Sequence, residues 1–456
     1  MEKDSFASIS TEIYIIPVSS QYLVYAPLRR IAFLANTALV NFLWRLRQRR
    51  IEKYTNEEKT FMVFFKDIQL IGEEGDRPIA TFKSAIFKPT EVTLFLTTRC
   101  NLRCVYCYAS AGTRPCADMS LYTAKRGIGL VCGNAVELGK EKFVVGYHGG
   151  GEPTMHWKVL IESLAYARRQ ARKYGIEVRA TAATNGVFSE SKRRWIIENL
   201  DGVSLSVDGL PEIHDIHRPL SSGEPSSKIV FQTIASFEKA NFSYGLRLTV
   251  TTYSVEKVPD SISYLLDYAH PKQIQLEPVY NLGRGQDKNL HVKPEAFVDA
   301  FRESKLITDK HGVKLFYSSA RADVLTNRFC QSCGEGFSLT PDGDISACYE
   351  VCDKKMQFSE DFIFGRYDYH QKRFIFDDQK LYQLRNRTVE NIPWCQECFC
   401  KWHCAGDCPN KARHAMIDGR FVGHPRCEIT RALVLDQILE KINKSGGIFW
   451  VENSKQ

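Results

Sequence analysis

Cys100, Cys104 and Cys107 stand at C-x3-C-x2-C spacing. Three thiolates can hold a four-iron, four-sulfur cube and leave one iron open to a reactant, much as a catalytic zinc keeps one position free. A structural zinc site or three unrelated buried thiols is the alternative, although structural zinc sites usually take a fourth protein ligand. Further on, His148-Gly149-Gly150-Gly151-Glu152-Pro153 joins glycines that let backbone approach a ligand to a carboxylate that can accept from an ammonium. A second dense signal comprises Cys330, Cys333, Cys348, then Cys395-x2-Cys398-x5-Cys404-x3-Cys408, and Cys427. Thiolate-only ligation there suits either two zinc ions or two more iron–sulfur clusters.

The elements that must position these residues follow from periodicity. The β-branched and aromatic run Glu91 to Thr98 reads as a buried strand, so the first cysteines fall at its C-terminal end, where parallel α/β barrels build active sites. Further strands are expected at Phe143–Tyr147, Glu177–Ala183, Val203–Val207, Leu246–Thr251 and Gln273–Pro278. Helices are expected at Trp157–Lys173, Ser227–Ala240 and Pro294–Lys310. Six βα units imply a parallel sheet curled by right-handed crossovers, two short of a closed eight-stranded barrel. Thr184-Asn185-Gly186 and Ser204-Leu205-Ser206-Val207-Asp208-Gly209 put short polar side chains at the same strand ends, where turn chemistry alone could also explain them. Before the barrel, short strands at Ile13–Pro17, Gln21–Tyr25 and Arg30–Leu34 precede a helix from Thr37 to about Arg50.

At 456 residues, with 44% hydrophobic and 25% charged residues, the chain is expected to hold two to four globular domains. It lacks the pattern of a signal peptide or membrane span, and a cytoplasmic location is expected. Fifteen cysteines in a reducing compartment point to metal ligation. The net charge of +8 includes a cluster, Arg45, Arg47, Arg49, Arg50 and Lys53, that suits either an acidic partner or a solvated helix end. Nucleic-acid binding is not expected.

The octapeptide Cys100 to Cys107, with Tyr106 before its last cysteine, resembles the signature loop of the radical S-adenosylmethionine (radical SAM) superfamily. That resemblance implies a partial (β/α)6 TIM-like barrel, SAM chelating the open iron, and Tyr106 beside the adenine. Gly150, Gly151 and Glu152 resemble the motif that binds the amino group of SAM, and Asn185 is placed with the cofactor contacts. The run from Ser206 to Arg218 is similar to a segment of anaerobic sulfatase maturases, which implies Ser206 at the ribose and Arg218 at the SAM carboxylate. His214 and His217 are read as packed or surface side chains. The C-terminal cysteines resemble the SPASM domain. By that analogy Cys330, Cys333, Cys348 and Cys408 hold one auxiliary four-iron cluster, and Cys395, Cys398, Cys404 and Cys427 the other, with Cys400 a possible exchange ligand. Cys330 lies outside the seven-cysteine signature, and without it the first cluster would have an open iron.

The resemblance implies three domains: 1–90, a winged-helix-like leader-peptide recognition element and linker; 91–320, the barrel; and 321–456, the SPASM domain. It implies an enzyme that crosslinks a ribosomally made precursor peptide, by thioether or carbon–carbon bonds, with electrons from a flavodoxin or ferredoxin. A sulfatase maturase is the rival. Those enzymes carry a proposed proton-accepting aspartate after the cysteine equivalent to Cys348; here Tyr349 stands there, followed by Glu350, a candidate base.

Overall fold

The computed structural model describes residues 9–48, 53–72, 75–79, 86–113 and 115–450. Strands β1 (Tyr14–Val18), β2 (Gln21–Ala26) and β3 (Ile31–Ala35) form an antiparallel meander, followed by α1 (Thr37–Arg47) and α2 (Asn56–Asp67). Side chains alternate across a strand. Val24, Ile31 and Phe33 therefore pack with Val40, Phe42 and Phe65 of the helices, whereas Leu23, Tyr25 and Ala32 face the main core of the protein. Helix α2 starts with a capping box between Thr55 and Glu58. Of the basic cluster, Arg45 pairs with Glu58 and Arg47 donates to the carbonyls of Thr11 and Ile13; Arg49 and Arg50 lie outside the described residues.

The barrel runs β4 (Glu91–Leu94), α3 (Leu121–Glu137), β5 (Lys142–Tyr147), α4 (Trp157–Tyr174), β6 (Glu177–Thr184), α5 (Glu190–Asn199), β7 (Gly202–Ser206), α6 (Pro211–His217), α7 (Ser227–Lys239), β8 (Tyr244–Val250), α8 (Val258–Leu266), β9 (Gln273–Pro278) and α9 (Pro294–Lys310). The six strands are parallel and lie side by side in chain order, extended by β10 (Lys314–Phe316) beside β9. The sheet does not close on itself. Beyond β4 it continues through β11 (Ser338–Leu339), parallel to β4, into the antiparallel β12 (Asp344–Ser346), β13 (Ile363–Asp368) and β14 (Arg373–Phe376). The first barrel strand is shorter than its sequence pattern because Leu96 and Thr98 turn their backbone bonds to Met119 and Ala117.

Strand β8 explains the hollow interior. Tyr244, Leu246, Leu248 and Val250 are buried, while the alternating Gly245, Arg247 and Thr249 are only partly so. Arg247 and Thr249 line the barrel cavity. The C-terminal region then adds α10 (Asp378–Arg385), α11 (Lys401–Cys404), α12 (Pro409–Arg413), the hairpin β15 (Met416–Ile417) and β16 (Arg420–Phe421), and α13 (Pro425–Lys444). The last described strand, β17 (Ile448–Trp450), pairs antiparallel with β3 and completes the N-terminal sheet. No helix among the described residues is long and apolar enough to cross a membrane.

Candidate active site and cysteine groups

The cysteine loop is fixed on every side by backbone. Arg103 N–H and Val105 N–H donate to the carbonyls of Pro219 and His217 at 2.8 and 2.9 Å, and Arg284 donates from Nε to the Cys104 carbonyl at 2.8 Å. The glycine turn after β5 lies directly against it: a Cβ at Gly151 would stand 2.0 Å from the Arg99 carbonyl oxygen, so only glycine fits there. Glu152 N–H donates to that same oxygen at 2.9 Å, which brings its carboxylate beside Cys100. Glu152 is buried. Its Oε1 accepts from Thr154 N–H, Thr154 Oγ1 and Thr184 Oγ1, and its Oε2 accepts from Asn185 N–H at 2.8 Å. Asn185 donates to Asn101 Oδ1 at 2.8 Å, with its amide 3.8 Å from Cys100 Sγ. Burial pushes the Cys100 thiol up to about 12 and the Cys104 thiol up to about 11.

Asp208, which turn chemistry alone could explain, is the hub of the next layer. Its carboxylate takes Nε and Nη2 of Arg218 at 2.9 and 3.1 Å, the Tyr106 hydroxyl, His217 Nδ1 at 3.2 Å, and Thr249 N–H at 3.0 Å. Burial works against its charge, yet the Arg218 guanidinium and His217 hold it far below the usual carboxylate range. Arg218 also lies over the Tyr106 ring, 5.3 Å from its centroid. Both side chains expected at SAM are thus joined to Asp208. His214 and His217 are fully buried, and each is hydrogen-bonded.

These residues line one cavity of about 410 Å³ at the C-terminal ends of the strands. Cys100, Cys104, Cys107, Tyr106, Gly151, Glu152, Asn185, Ser206 and Arg218 all border it; Gly150 lies between two of its neighbours in the turn. Tyr280, Tyr349, Glu350, His148 and Arg247 line the same cavity. Glu350 is paired with Lys411 at 3.3 Å and accepts from Asn410 at 3.2 Å. The His148 and Tyr349 rings face each other at 5.7 Å.

The C-terminal cysteines fall into two groups: Cys330 lies in the field of Cys333, and Cys348 and Cys408 lie in that of Cys330, while Cys395, Cys398, Cys404 and Cys427 lie in one another's. Cys395, Cys398, Cys404 and Cys427 border a single small cavity together with a fifth thiol, Cys400. A hydrogen bond from Cys400 lowers the Cys398 thiol to about 6. Arg426 ties the groups together, donating to both oxygens of Asp407 at 2.9 and 2.8 Å and to Glu277 at 3.1 Å. Asp407 precedes Cys408 and Arg426 precedes Cys427, so one buried ion pair fixes a cysteine of each group. Cys330 is exposed, Cys116 is exposed, and Cys132 and Cys352 are buried. Among the described residues, no three Cys, His, Asp or Glu side chains are drawn tightly enough to share one ion.

Sequence reasoning missed Asp208, Arg247, His148 and Lys411. The signal for Arg247 was present as a charge in the middle of an apolar strand. Asp208 had none beyond its turn, because its partners come from several elements.

Residues 94–265 match the model of the radical SAM superfamily, and the chain carries a radical SAM domain. Over 336 residues it is 23% identical to the cysteine-type anaerobic sulfatase-maturating enzyme of Clostridium perfringens, a match covering 68% of this chain and 85% of that one. It spans a little over half the length of two further curated relatives, 58% of one and 53% of the other. The AdoMet-bound structure of anSMEcpe superposes with a TM-score of 0.63 at 18% identity, covering 78% of this chain and 95% of that one. SuiB of Streptococcus suis, bound to S-adenosylmethionine, gives a TM-score of 0.52 at 12% identity and covers 92% of this chain and 99% of its own. That coverage is too large to be met by residues 91–456 alone. The structure of SuiB has also been solved with the precursor peptide SuiA, and that of anSMEcpe with the Cp18Cys and Kp18Cys peptides.

Proposed function

We propose that this chain is a radical SAM enzyme that installs a crosslink in a ribosomally made precursor peptide. The observation that carries the reading is the meeting, at one barrel mouth, of three cysteines, a buried carboxylate behind a glycine turn, and an open cavity. The residues suit the groups: the Cys100 and Cys104 thiols, driven up by burial, need a cation to be held as thiolates. Cys100, Cys104 and Cys107 would hold a four-iron cluster, and Glu152 would take the amino group of SAM. When bound, that pair supplies a 5′-deoxyadenosyl radical, which removes a hydrogen atom from a substrate carbon.

The protein's own part is positional. Asp208 fixes Tyr106 and Arg218 as a wall of the cavity, while Gly150 and Gly151 would let backbone approach SAM, and Asn185 and Ser206 would contact it from the strand ends. Glu350, held ionised by Lys411 and Arg247 despite its burial, is the cavity-lining carboxylate that can receive a proton. Cys330, Cys333, Cys348 and Cys408, and separately Cys395, Cys398, Cys404 and Cys427, would hold auxiliary four-iron clusters of a SPASM domain, which would serve as electron acceptors. Residues 1–90 are read as the leader-binding, winged-helix-like element, with a flavodoxin or ferredoxin as donor and a cytoplasmic location. The SuiA-bound neighbour supports a peptide substrate.

The sulfatase-maturase reading rests on the 85% coverage of that relative. Against it, Tyr349 replaces the expected acid. Mass spectrometry separates the two: the reconstituted, reduced enzyme is given SAM and a precursor encoded by a neighbouring small open reading frame. A crosslink loses two hydrogens and suppresses fragments between the joined residues. A side-chain aldehyde with unbroken fragmentation would favour the maturase reading, and no 5′-deoxyadenosine would sink both.

A further inference from the structure

The charges around the barrel cavity are almost all matched within the protein. Arg218 is joined to Asp208, Lys411 to Glu350, and Arg426 to Glu277 and Asp407. Arg247 is different. It projects from β8 into the cavity, and among the described residues no carboxylate lies within ion-pair distance of its guanidinium and no hydrogen bond holds it. Glu350 and Glu277 feel its field, but each is already engaged, Glu350 by Lys411 and Asn410 and Glu277 by Arg426 and the hydroxyl of Tyr280. Nearby on the wall, His148 keeps a buried Nδ1 without a hydrogen-bond partner. Burial and the Arg247 charge push its imidazole down to about 4, so it is neutral and has one N–H to donate and one nitrogen to accept.

Guanidinium carries five donors in a planar fork that fits a carboxylate with two parallel bonds. A guanidinium fork without a protein partner, lining a cavity of about 410 Å³, is free to take a carboxylate from a ligand. We propose that Arg247, with His148 beside it, receives a carboxylate of the substrate, so that the segment entering the cavity carries an Asp or Glu side chain close to the carbon that reacts. The inference rests on the cavity being the reaction chamber. It assigns Arg247 to the substrate rather than to the carboxylate of SAM, the other source of the same chemistry.

The test uses full-length protein, anaerobically reconstituted and saturated with SAM. It is offered two sets of end-blocked hexapeptides that differ only in a central Glu or Gln. The parent is expected to retain the Glu set roughly ten- to hundredfold better, the usual range for a charge-assisted pair. In Arg247→Gln that ratio should fall to near one with SAM retention close to the parent's, and Arg247→Lys should keep part of the preference. Equal retention of both sets by a parent that binds SAM overturns the proposal and leaves the cavity reading standing. A preference undiminished in Arg247→Gln overturns it too. If Arg247→Gln loses SAM and leaves the peptide ratio unchanged, the guanidinium belongs to SAM and the proposal is wrong. A parent that retains no SAM would refute the reaction-chamber reading itself.

Discussion

Arg218 and Asp208 form a two-point ion pair, Nε to Oδ2 at 2.9 Å and Nη2 to Oδ1 at 3.1 Å, with Asp208 only 4% and Arg218 7% exposed. The same carboxylate holds Tyr106, so the pair is a structural joint of the cavity wall before it is a contact to any ligand.

Breaking that joint should therefore cost stability. Removing one partner of a buried pair leaves an uncompensated charge, a loss of about 3–5 kcal/mol, whereas neutral partners of similar shape cost much less. Arg218→Ala is expected to lower the denaturation midpoint strongly, and Asp208→Asn combined with Arg218→Gln to recover much of the loss. If Arg218→Ala alone unfolds like the parent and only SAM binding falls, the pair is not structural.

His214 gives a pH signature. Asp208 N–H donates to its Nδ1 at 3.3 Å and its Nε2 lies 3.1 Å from Ser226 Oγ, which itself donates to the Arg218 carbonyl. That chain fixes the neutral ring, and burial pushes its pKa down to about 4. The unfolded chain binds the proton near pH 6.5 and the folded chain does not, so stability is complete above about 6.5 and falls as pH drops toward 4. The loss is on the order of 3 kcal/mol. His148, His403 and His424 are pushed down to about 4 as well, so His214→Gln should reduce the slope of stability against pH in that window without abolishing it; an unchanged slope would contradict this assignment.

The barrel was legible in the sequence because its strands are buried, β-rich and separated by helices of clear period, and the cysteine motifs were legible because their spacing is local. What long-range pairing decides was not. Strand β17 returning to β3, Tyr25 meeting His403, and Asp208 gathering four partners all depend on contacts that no window of the chain contains. Arg218 borders the cavity, and its pairing with Asp208 is invisible in the sequence because the two meet through a helix turn.

Those long-range contacts alter the expectation for the N-terminal region. Tyr25 Oη lies 2.6 Å from His403 Nε2, Trp402 Nε1 donates to Glu12 at 2.6 Å, and Lys401 pairs with Glu12 at 2.7 Å, all beside Cys400 and Cys404. Deleting residues 1–60 should thus lower iron content by about one cluster as well as abolish processing of the precursor, while SAM cleavage persists. Iron and sulfide analysis of the truncated protein checks this. Full iron content with loss of precursor processing alone would mean that the region serves only the substrate.

The central claim is that Cys100, Cys104 and Cys107 hold the cluster at which SAM is cleaved. The most direct measurement is 5′-deoxyadenosine formation, with iron content, in anaerobically reconstituted protein carrying Cys100→Ala, Cys104→Ala and Cys107→Ala together. One four-iron cluster should disappear and 5′-deoxyadenosine with it, while the iron at the C-terminal cysteines remains, because thiolate ligation is local to each site. Continued formation of 5′-deoxyadenosine without these three thiols would contradict the account.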